Sequence, residues 1–268
     1  MKKALQDAKN GFLLALQFFS AIPIHRSIPI QSITKKRMIQ SFPLIGLFIG
    51  LILWGLLYLL SVWSPFSILA VTFIVFLTSI LLTGGIHVDG WIDCSDAYFS
   101  YRDREKRLDI MKDPRVGAFG VLSVILLLSA KFFVMYETIA RIDVKLLFIM
   151  ISIPFLSRIG AGYLLVMGKP AREEGMAVFF KNGVGKQNLI VYPMYVFVFS
   201  IIIYSFVKEA FFIYWWLVFT FILWLIFTYR FIMKHFGGIT GDIIGASIEG
   251  GEVMLWIVLW LCSYYVMA

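Results

Sequence analysis

The sequence predicts an all-α, polytopic integral membrane protein, a helical bundle of about seven spanning helices with an N-terminal interfacial or re-entrant helix. Of its 268 residues, 60% are hydrophobic, 17% aromatic and 15% charged, and the mean hydropathy is +0.88. Soluble domains carry roughly 25% charged residues, so the bilayer is the expected solvent. Each spanning helix uses about 20 mostly apolar residues, and the length therefore fits a single membrane-embedded domain over residues 1–268.

The N-terminal stretch 11–24 is apolar, but Pro23, His25 and Arg26 leave no small-residue cleavage site after it. We interpret this stretch as the interfacial or re-entrant helix. If it crossed the membrane instead, the C-terminus would lie on the other side.

Seven later segments are long and apolar enough to span the hydrocarbon core. They are 42–63, 65–82, 116–139, 146–167, 189–207, 211–231 and 253–267. Ser64 and Pro65 form a turn signal too short for anything but an antiparallel hairpin between the first two spans.

The distribution of Lys and Arg sets the predicted orientation, because basic loops are retained in the cytoplasm. With the N-terminus inside, the inner segments are 1–41, 83–115, 168–188 and 230–252, and they hold 19 of the 24 Lys and Arg residues. The outer loops hold three, Arg141, Lys145 and Lys208. We therefore expect the inner cell membrane as the location, with the polar motifs near residues 89, 113, 172 and 242 facing the cytoplasm.

The net charge of +8 does not indicate a nucleic-acid partner, because the basic residues lie between apolar runs rather than in one stripe with aromatic residues. The two cysteines, Cys94 and Cys262, are far apart in the sequence and predict neither a disulfide framework nor a thiolate metal site.

Three carboxylates, Asp89, Asp93 and Asp96, follow 14 uncharged positions, 71–84. On a helix these spacings place all three on one face. Like charges at such spacings destabilise a helix by about 0.2–0.5 kcal/mol per pair, so a cation is expected, and oxygen ligands favour Mg²⁺ or Mn²⁺ over Zn²⁺. A solvated acidic face is the structural alternative. We favour a metal site, because acidic residues at membrane depth are functional candidates.

His87 lies two residues before Asp89 and so on a different helical face. It is a candidate base near neutral pH, although a lone histidine is more often a structural hydrogen-bonding residue. Gly90 would let a phosphate or a backbone segment approach Asp89 closely.

A second group consists of Lys112, Asp113 and Arg115, just before the third span. A structural interpretation makes Asp113 the N-cap of the next helix and Pro114 a residue of its first turn. Lys112 on one side and Arg115 on the other indicate instead that an anion is held at a helix N-terminus.

Two further cytoplasmic segments carry suitable side chains. Arg172 lies in GKPAREEGMAVFF, and Asp242, Glu249 and Glu252 lie in GGITGDIIGASIEGGE. Asp242 and Glu249, seven residues apart, would share one helical face, but a glycine-rich re-entrant hairpin is an equally good interpretation of that segment.

Lys131 and Arg158 fall within predicted spans, where a charge costs about 2.5–3.5 kcal/mol on insertion scales. Both should face the bundle interior, where each either pairs with a carboxylate or contacts a substrate phosphate. Acidic metal ligands with cations around them suit phosphoryl or nucleotidyl transfer to a hydroxyl nucleophile.

Five segments, FPLIGLFIG, GGIHVDGWIDCSDA, RLDIMKDPRVGAFG, PAREEGM and GGITGDIIGASIE, occur in this order within residues 12–255. Together they resemble the cobalamin synthase family, the adenosylcobinamide-GDP ribazoletransferases. The resemblance implies a Mg²⁺-dependent inner-membrane enzyme that joins α-ribazole, or its 5'-phosphate, to adenosylcobinamide-GDP and releases GMP, late in coenzyme B12 synthesis. Cys94 and Ala97 stand where Thr and Gly are expected in the family pattern.

The family motifs fall on Asp89, Asp93 and Asp96, on Lys112, Asp113 and Arg115, and on Thr240, Gly241 and Asp242. We expect Mg²⁺ on the first three aspartates, with Asp242 as a further metal ligand or the acceptor of the hydroxyl proton. The other catalytic candidates are Asp113 and His87, and the substrate-binding candidates are Lys112, Arg115, Arg172, Arg158, Lys131, Thr240 and Gly241. The expected partners are the two substrates and the lipid bilayer, with a homo-oligomer left open.

Three alternatives remain. A CDP-alcohol phosphatidyltransferase-like enzyme should carry an Ala-Arg pair inside the aspartate motif, and this chain has none there. A prenyltransferase-like enzyme needs Asp-rich motifs on two loops and an apolar tunnel. A cation transporter needs carboxylates at mid-membrane, whereas the predicted spans contain mainly Lys131, Arg158 and, near an end, Glu137.

Overall fold

The computed structural model describes residues 2–266, and these form a bundle of α-helices. The helices are α1 (Lys2–Phe19), α2 (Ser32–Trp63), α3 (Ile68–Leu81), α4 (Ile86–Phe99), α5 (Arg104–Ile110), α6 (Ala118–Arg141), α7 (Ser152–Met167), α8 (Met176–Lys181), α9 (Val191–Phe206), α10 (Phe211–His235) and α11 (Gly241–Val266). Within residues 2–266, six segments are long and apolar enough to cross a membrane, or seven if the bent pair α3 and α4 counts as one span. The predicted all-α membrane fold is confirmed.

Helix α1 packs across the first turns of α2 rather than along its full length. Gly11 lies against the backbone and Cβ of Arg37, and the rings of Phe19 and Phe42 meet at 4.6 Å. The helix also carries Lys2, Lys3, Asp7 and Lys9, and it is not one of the spanning candidates. This placement agrees with an N-terminal helix that stays at one end of the bundle.

The second predicted span is shorter than expected. Helix α3 has 14 residues, which extend about 21 Å, less than the roughly 30 Å of the hydrocarbon core. Gly84 (φ 64°) and Gly85 (φ 73°) then take left-handed conformations, and the chain bends by 80° into α4. We treat α4 as an interfacial helix outside the spanning segments. It contains all three clustered aspartates, so the prediction that they share a helix is confirmed.

The last helix begins earlier than the sequence indicated. A start near residue 253 was expected, but α11 begins at Gly241, and the re-entrant hairpin is therefore wrong. The hydroxyl oxygen of Thr240 accepts a hydrogen bond from the Ile243 N–H (3.2 Å), which caps the first turn. Met267, the predicted end of this span, lies outside the described residues.

Helix α6 begins later than the sequence indicated. Its first residue is Ala118 and its N-cap is Gly117. The interpretation of Asp113 as the N-cap and of Pro114 as a first-turn residue is therefore wrong, because four residues of irregular chain separate Asp113 from the helix.

The centre of the bundle is α7, together with the 3₁₀ segment Leu146–Ile151 before it. Of the 22 residues Leu146–Met167, 17 are buried inside the protein. Helices α2, α10 and α11 pack around it, and α11 also packs against α4 and α6. The N-terminal half of α11 therefore connects the interfacial helix α4 to the interior of the bundle.

Candidate active site

Four aspartates, Asp89, Asp93, Asp96 and Asp242, lie near one another where α4 crosses the start of α11. Gly90 allows the two helices to approach this closely, because a Cβ at residue 90 would lie 2.5 Å from the carbonyl oxygen of Asp242. Burial raises the pKa of Asp93 to about 6, and the negative charges of Asp89, Asp242 and Asp96 contribute further. The cluster therefore contains more negative charge than its protein surroundings balance.

Asp96 contacts a second helix as well. Its carboxylate lies against Gly117 and accepts a hydrogen bond from the Gly120 N–H (3.3 Å). Asp96 therefore supplies a negative charge at the N-terminus of α6, where such a charge is favourable.

The donor set suits a hard divalent cation, since every member is a carboxylate. Among residues 2–266, no group of three His, Cys, Asp or Glu side chains forms a ready-made metal site. Mg²⁺ is usually bound through one or two carboxylates together with waters and substrate phosphates rather than by an all-protein cage. Asp89, Asp93 and Asp242 fit that kind of site by type, and burial, followed by the neighbouring negative charges, raises the pKa of Asp93.

A short backbone pairing brings Arg172 to the same place. The Ala171 N–H donates to the Ile239 carbonyl oxygen (2.9 Å), and the Ile239 N–H donates to the Lys169 carbonyl oxygen (2.8 Å). These bonds hold the loop before α8 beside the loop that starts α11. Arg172, Thr240, Gly241 and Asp242 consequently line one cavity of ≈ 160 Å³.

Arg172 and Thr240 are both fixed within this cavity wall. The Arg172 Nη2 donates to the carbonyl oxygen of Leu108 (2.7 Å), while its Nε is buried without a hydrogen-bond partner in the described structure. The Thr240 hydroxyl donates to Asp242 Oδ2 (3.3 Å). The cavity therefore combines a cation, a helix N-terminus and a carboxylate, a combination that suits a phosphate group and its metal ion.

Lys112, Asp113 and Arg115 lie on the exposed loop that leads to Gly117. Arg115 donates from Nε (2.9 Å) and Nη2 (2.6 Å) to the two carboxylate oxygens of Asp113. These hydrogen bonds hold the pKa of Asp113 at about 2. Since Gly117 touches Asp96, the loop reaches the edge of the carboxylate cluster, where Lys112 remains exposed.

Lys131 and Arg158 lie elsewhere, in a buried ion-pair network. Lys131 Nζ is 2.9 Å from both Glu249 and Glu252, and Arg158 Nη1 pairs with Glu252. All four residues are buried. The carboxylate-pairing alternative therefore matches their contacts, and the structure does not place either cation at the candidate active site.

The same network corrects one expectation about the spans. Glu249 and Glu252 were expected in a cytoplasmic loop, but they lie about 12 and 16 Å along α11, inside the bundle. Each carboxylate is neutralised by Lys131 or Arg158, which explains how a charged segment becomes part of a spanning helix. His87 is also buried here, with both ring nitrogens unpartnered among the described residues, and the structure does not group it with the aspartates.

Comparisons with known proteins identify the family. The family model described as cobalamin-5-phosphate synthase matches residues 11–260. The chain belongs to the cobalamin-5-phosphate synthase family. The three family motifs mapped onto this sequence thus lie on α4, on the loop before α6 and at the start of α11.

Several relatives named adenosylcobinamide-GDP ribazoletransferase cover almost the whole chain. The protein of Geobacillus sp. (strain WCH70) is 39% identical over 98% of this chain and 100% of its own length. That of Halalkalibacterium halodurans is 38% identical over 96% and 97%, and that of Clostridium tetani is 34% identical over 92% and 95%. No solved structure matches the chain.

Sequence reasoning missed an aromatic cavity in this member of the cobalamin-5-phosphate synthase family. It has a volume of ≈ 260 Å³ and lies between α4, α10 and α11. Its lining includes Trp91, Tyr98, Trp224, Phe231 and Ala246. The only signal in the sequence was the position of Trp91 inside the aspartate motif, since the α10 residues are indistinguishable from other apolar residues of a span.

Proposed function

We propose that this chain transfers the phosphocobinamide group of adenosylcobinamide-GDP to a ribose hydroxyl of α-ribazole, or of its 5'-phosphate, and releases GMP. The observation that carries the proposal is the convergence of Asp89, Asp93 and Asp242 beside Arg172, on motifs that two helices and a paired loop bring together. The names of the relatives supply the substrate.

The reaction is a substitution at the phosphorus on the cobinamide side of the diphosphate. A ribose oxygen forms the new bond to phosphorus, the bond from that phosphorus to the bridging oxygen breaks, and GMP leaves with the bridging oxygen. Such transfers depend mainly on positioning and on neutralising charge. A carboxylate within hydrogen-bond reach accepts the hydroxyl proton, and Asp242, which forms part of the cavity wall, is proposed for that role.

The cations around the cluster are proposed to hold the diphosphate. Arg172 lines the cavity beside Asp242, and the first N–H groups of α11 at Gly241 and Asp242 favour an anion there. Lys112 and Arg115, on the loop next to Asp96, neutralise the departing GMP, with Asp113 orienting the Arg115 guanidinium.

Mg²⁺ is the proposed cofactor, and Asp89, Asp93 and Asp96 are the residues that would hold it, with Asp242 beside them as the proton acceptor. When bound, it would neutralise the diphosphate and polarise the phosphorus for attack. The raised pKa of Asp93, with its neighbouring negative charges, supports a cation site in this cluster.

The proposed location is the inner cell membrane with the site facing the cytoplasm. The 19 basic residues of the inner segments against three in the outer loops support that orientation. The Ala21 N–H donates to the Leu82 carbonyl oxygen (2.8 Å), so the chain after α3 lies at the end of the bundle where α2 begins, and the contact of Gly90 with Asp242 keeps both motifs at that end. Both substrates would then reach the protein from the cytoplasm.

The test is GMP release by the purified protein in lipid vesicles, supplied with adenosylcobinamide-GDP and α-ribazole, with Mg²⁺ or with a chelator. Asp89→Asn and Asp242→Asn should each lower turnover on the order of 100-fold or more, while Asp143→Asn, at an exposed carboxylate outside the motifs, should not. Metal-independent release, or full turnover in both aspartate variants, would refute the proposed site.

A further inference from the structure

The last carbonyl groups of α10 accept hydrogen bonds from two arginine side chains of the short helix α5. Arg104 donates from Nε (3.3 Å) and Nη2 (3.0 Å) to the carbonyl oxygen of Lys234. Arg107 donates from Nη1 to the carbonyl oxygen of His235 (3.0 Å). The final carbonyls of a helix have no partner within it, and cations are favourable at this end. The two arginines therefore fasten α5 to the C-terminus of α10.

Arg107 contacts α4 as well. Its guanidinium lies over the ring of Tyr98, with Cζ 5.3 Å from the ring centroid. The His235 ring meets the same tyrosine edge-on, with the two centroids 5.2 Å apart. A cation over an aromatic face is stabilising. Arg107 therefore joins α4, α5 and α10 through one side chain.

Helix α5 depends strongly on such contacts. It has seven residues, and none of these seven is fully buried. Leu108 and Ile110 pack against the hydrophobic core while remaining partly exposed. Isolated helices shorter than about 12–15 residues are marginal in water. The arginine contacts are therefore a large part of what keeps α5 in its place.

The other end of α5 reaches the candidate active site. The Leu108 carbonyl oxygen accepts the hydrogen bond from Arg172 Nη2 (2.7 Å). The backbone leaves this carbonyl available to a side chain, since the Lys112 N–H, four residues further on, donates to the Asp109 carbonyl oxygen instead (3.0 Å). Arg172 lines the cavity that contains Asp242. A displacement of α5 would therefore release the Arg172 guanidinium inside that cavity.

We propose that Arg107 is a positioning residue for Arg172, because it fixes α5 against α10 so that the Leu108 carbonyl holds the Arg172 guanidinium toward the diphosphate. This role rests on the proposed function, since the diphosphate is taken from it. The hydrogen bonds between Ile239 and the loop before α8 hold the backbone of that loop independently. Loss of the Arg107 contacts therefore frees the Arg172 side chain while its backbone stays in place.

Three variants separate positioning from charge. Arg107→Met removes both the hydrogen bond to His235 and the cation over Tyr98, whereas Arg107→Lys keeps a charge and a donor. Lys106→Met is the matched control, because it removes the same charge from the adjacent, exposed position of α5. A general loss of positive charge near an anionic substrate would affect Arg107→Met and Lys106→Met alike.

Steady-state kinetics should show a selective effect on the diphosphate substrate. Arg107→Met should raise the KM for adenosylcobinamide-GDP roughly 3- to 10-fold, with kcat and the KM for α-ribazole within about twofold of wild type. Arg107→Lys should recover most of this loss, and Lys106→Met should match the wild type.

A double-mutant cycle tests whether Arg107 acts through Arg172. In the Arg172→Lys background, Arg107→Met should raise the same KM by less than about twofold, because both substitutions remove one shared interaction. If the effects of the two substitutions multiply in full, Arg107 acts independently of Arg172 and the proposal is overturned.

The reactivity of Arg172 toward phenylglyoxal tests the positioning without turnover. With the full chain in lipid nanodiscs, peptide mass spectrometry should show Arg172 modified at least about threefold faster in Arg107→Met than in the wild type, and at the wild-type rate in Lys106→Met. Faster modification supports the positioning role even if no GMP is released. An unchanged rate would overturn that role and leave the proposed function intact. If Arg107→Met does not fold, Arg104→Met, which removes the neighbouring tether, replaces it in each measurement.

Discussion

Gly90 of α4 and Asp242 of α11 touch through their backbones, with room at residue 90 for a hydrogen and nothing larger. This contact holds Asp89, the residue before Gly90, and Asp93, about one helical turn after it, beside Asp242. Two sequence motifs, 152 positions apart at Gly90 and Asp242, thereby form one acidic cluster.

We predict that Gly90→Ala separates the two motifs. The added methyl group would lie 2.5 Å from the Asp242 carbonyl oxygen, and relieving such an overlap typically costs about 1–3 kcal/mol. Turnover should fall more than about 10-fold, because an active site is sensitive to small displacements. Gly55→Ala is the control, since a Cβ there meets nothing within 4 Å. Equal GMP release by both variants would show that the contact does not position the site.

Asp96 allows a structural role and a catalytic role to be separated. Its carboxylate accepts a hydrogen bond from Gly120 at the start of α6. An asparagine can make the same bond, so Asp96→Asn should keep the thermal stability of the wild type, while Asp96→Ala should lose about 1 kcal/mol.

Activity should respond differently. If Asp96 also holds Mg²⁺, both variants should lose most of their GMP release and require more Mg²⁺ for half-maximal rate. Scanning fluorimetry and a Mg²⁺ titration of turnover measure the two effects. Wild-type Mg²⁺ dependence in Asp96→Asn would limit Asp96 to capping α6.

The spans were predictable because each depends on the apolar character of one local segment. The start of α11 was not predictable, because Glu249 and Glu252 look like loop residues until their ion-pair partners are known. Those partners, Lys131 and Arg158, lie more than 90 positions earlier in the sequence, and hydropathy treats each charge as isolated.

The predicted start of α6 was wrong for a related reason. Asp113 and Pro114 form a good local start signal, yet the carboxylate that serves the helix comes from Asp96 on α4. The aspartate face of α4 was predictable from spacing alone, whereas its meeting with Asp242 depends on how α4 and α11 cross.

Arg172 should affect the binding of the diphosphate substrate more than the chemical step. Its guanidinium lines the cavity beside Asp242 and is held by the Leu108 carbonyl. Lysine keeps the charge but cannot form the same planar set of hydrogen bonds. We therefore expect Arg172→Lys to raise the KM for adenosylcobinamide-GDP about 10-fold, with a smaller change in kcat.

Arg230→Lys is the matched control for this substitution, because Arg230 is exposed on α10. Initial-rate kinetics with each substrate varied in turn provide the measurement. A change in the KM for α-ribazole alone would contradict the assignment of Arg172 to the diphosphate.

The buried network of Lys131, Arg158, Glu249 and Glu252 should contribute to stability through charge balance. Lys131 is 2% exposed and lies 2.9 Å from each glutamate. Removing one partner of a buried pair leaves an uncompensated charge and costs about 3–5 kcal/mol. Lys131→Met should therefore lower the thermal unfolding midpoint markedly in scanning fluorimetry.

The exposed pair of Arg141 and Glu137 provides the contrast, because its arginine side chain is 43% exposed and such pairs contribute about 0–1 kcal/mol. Arg141→Met should leave the midpoint nearly unchanged. Adding Glu249→Gln to Lys131→Met removes one unbalanced carboxylate and should recover part of the lost stability. If the double variant is no more stable than Lys131→Met, the loss comes from packing around the lysine stem rather than from charge.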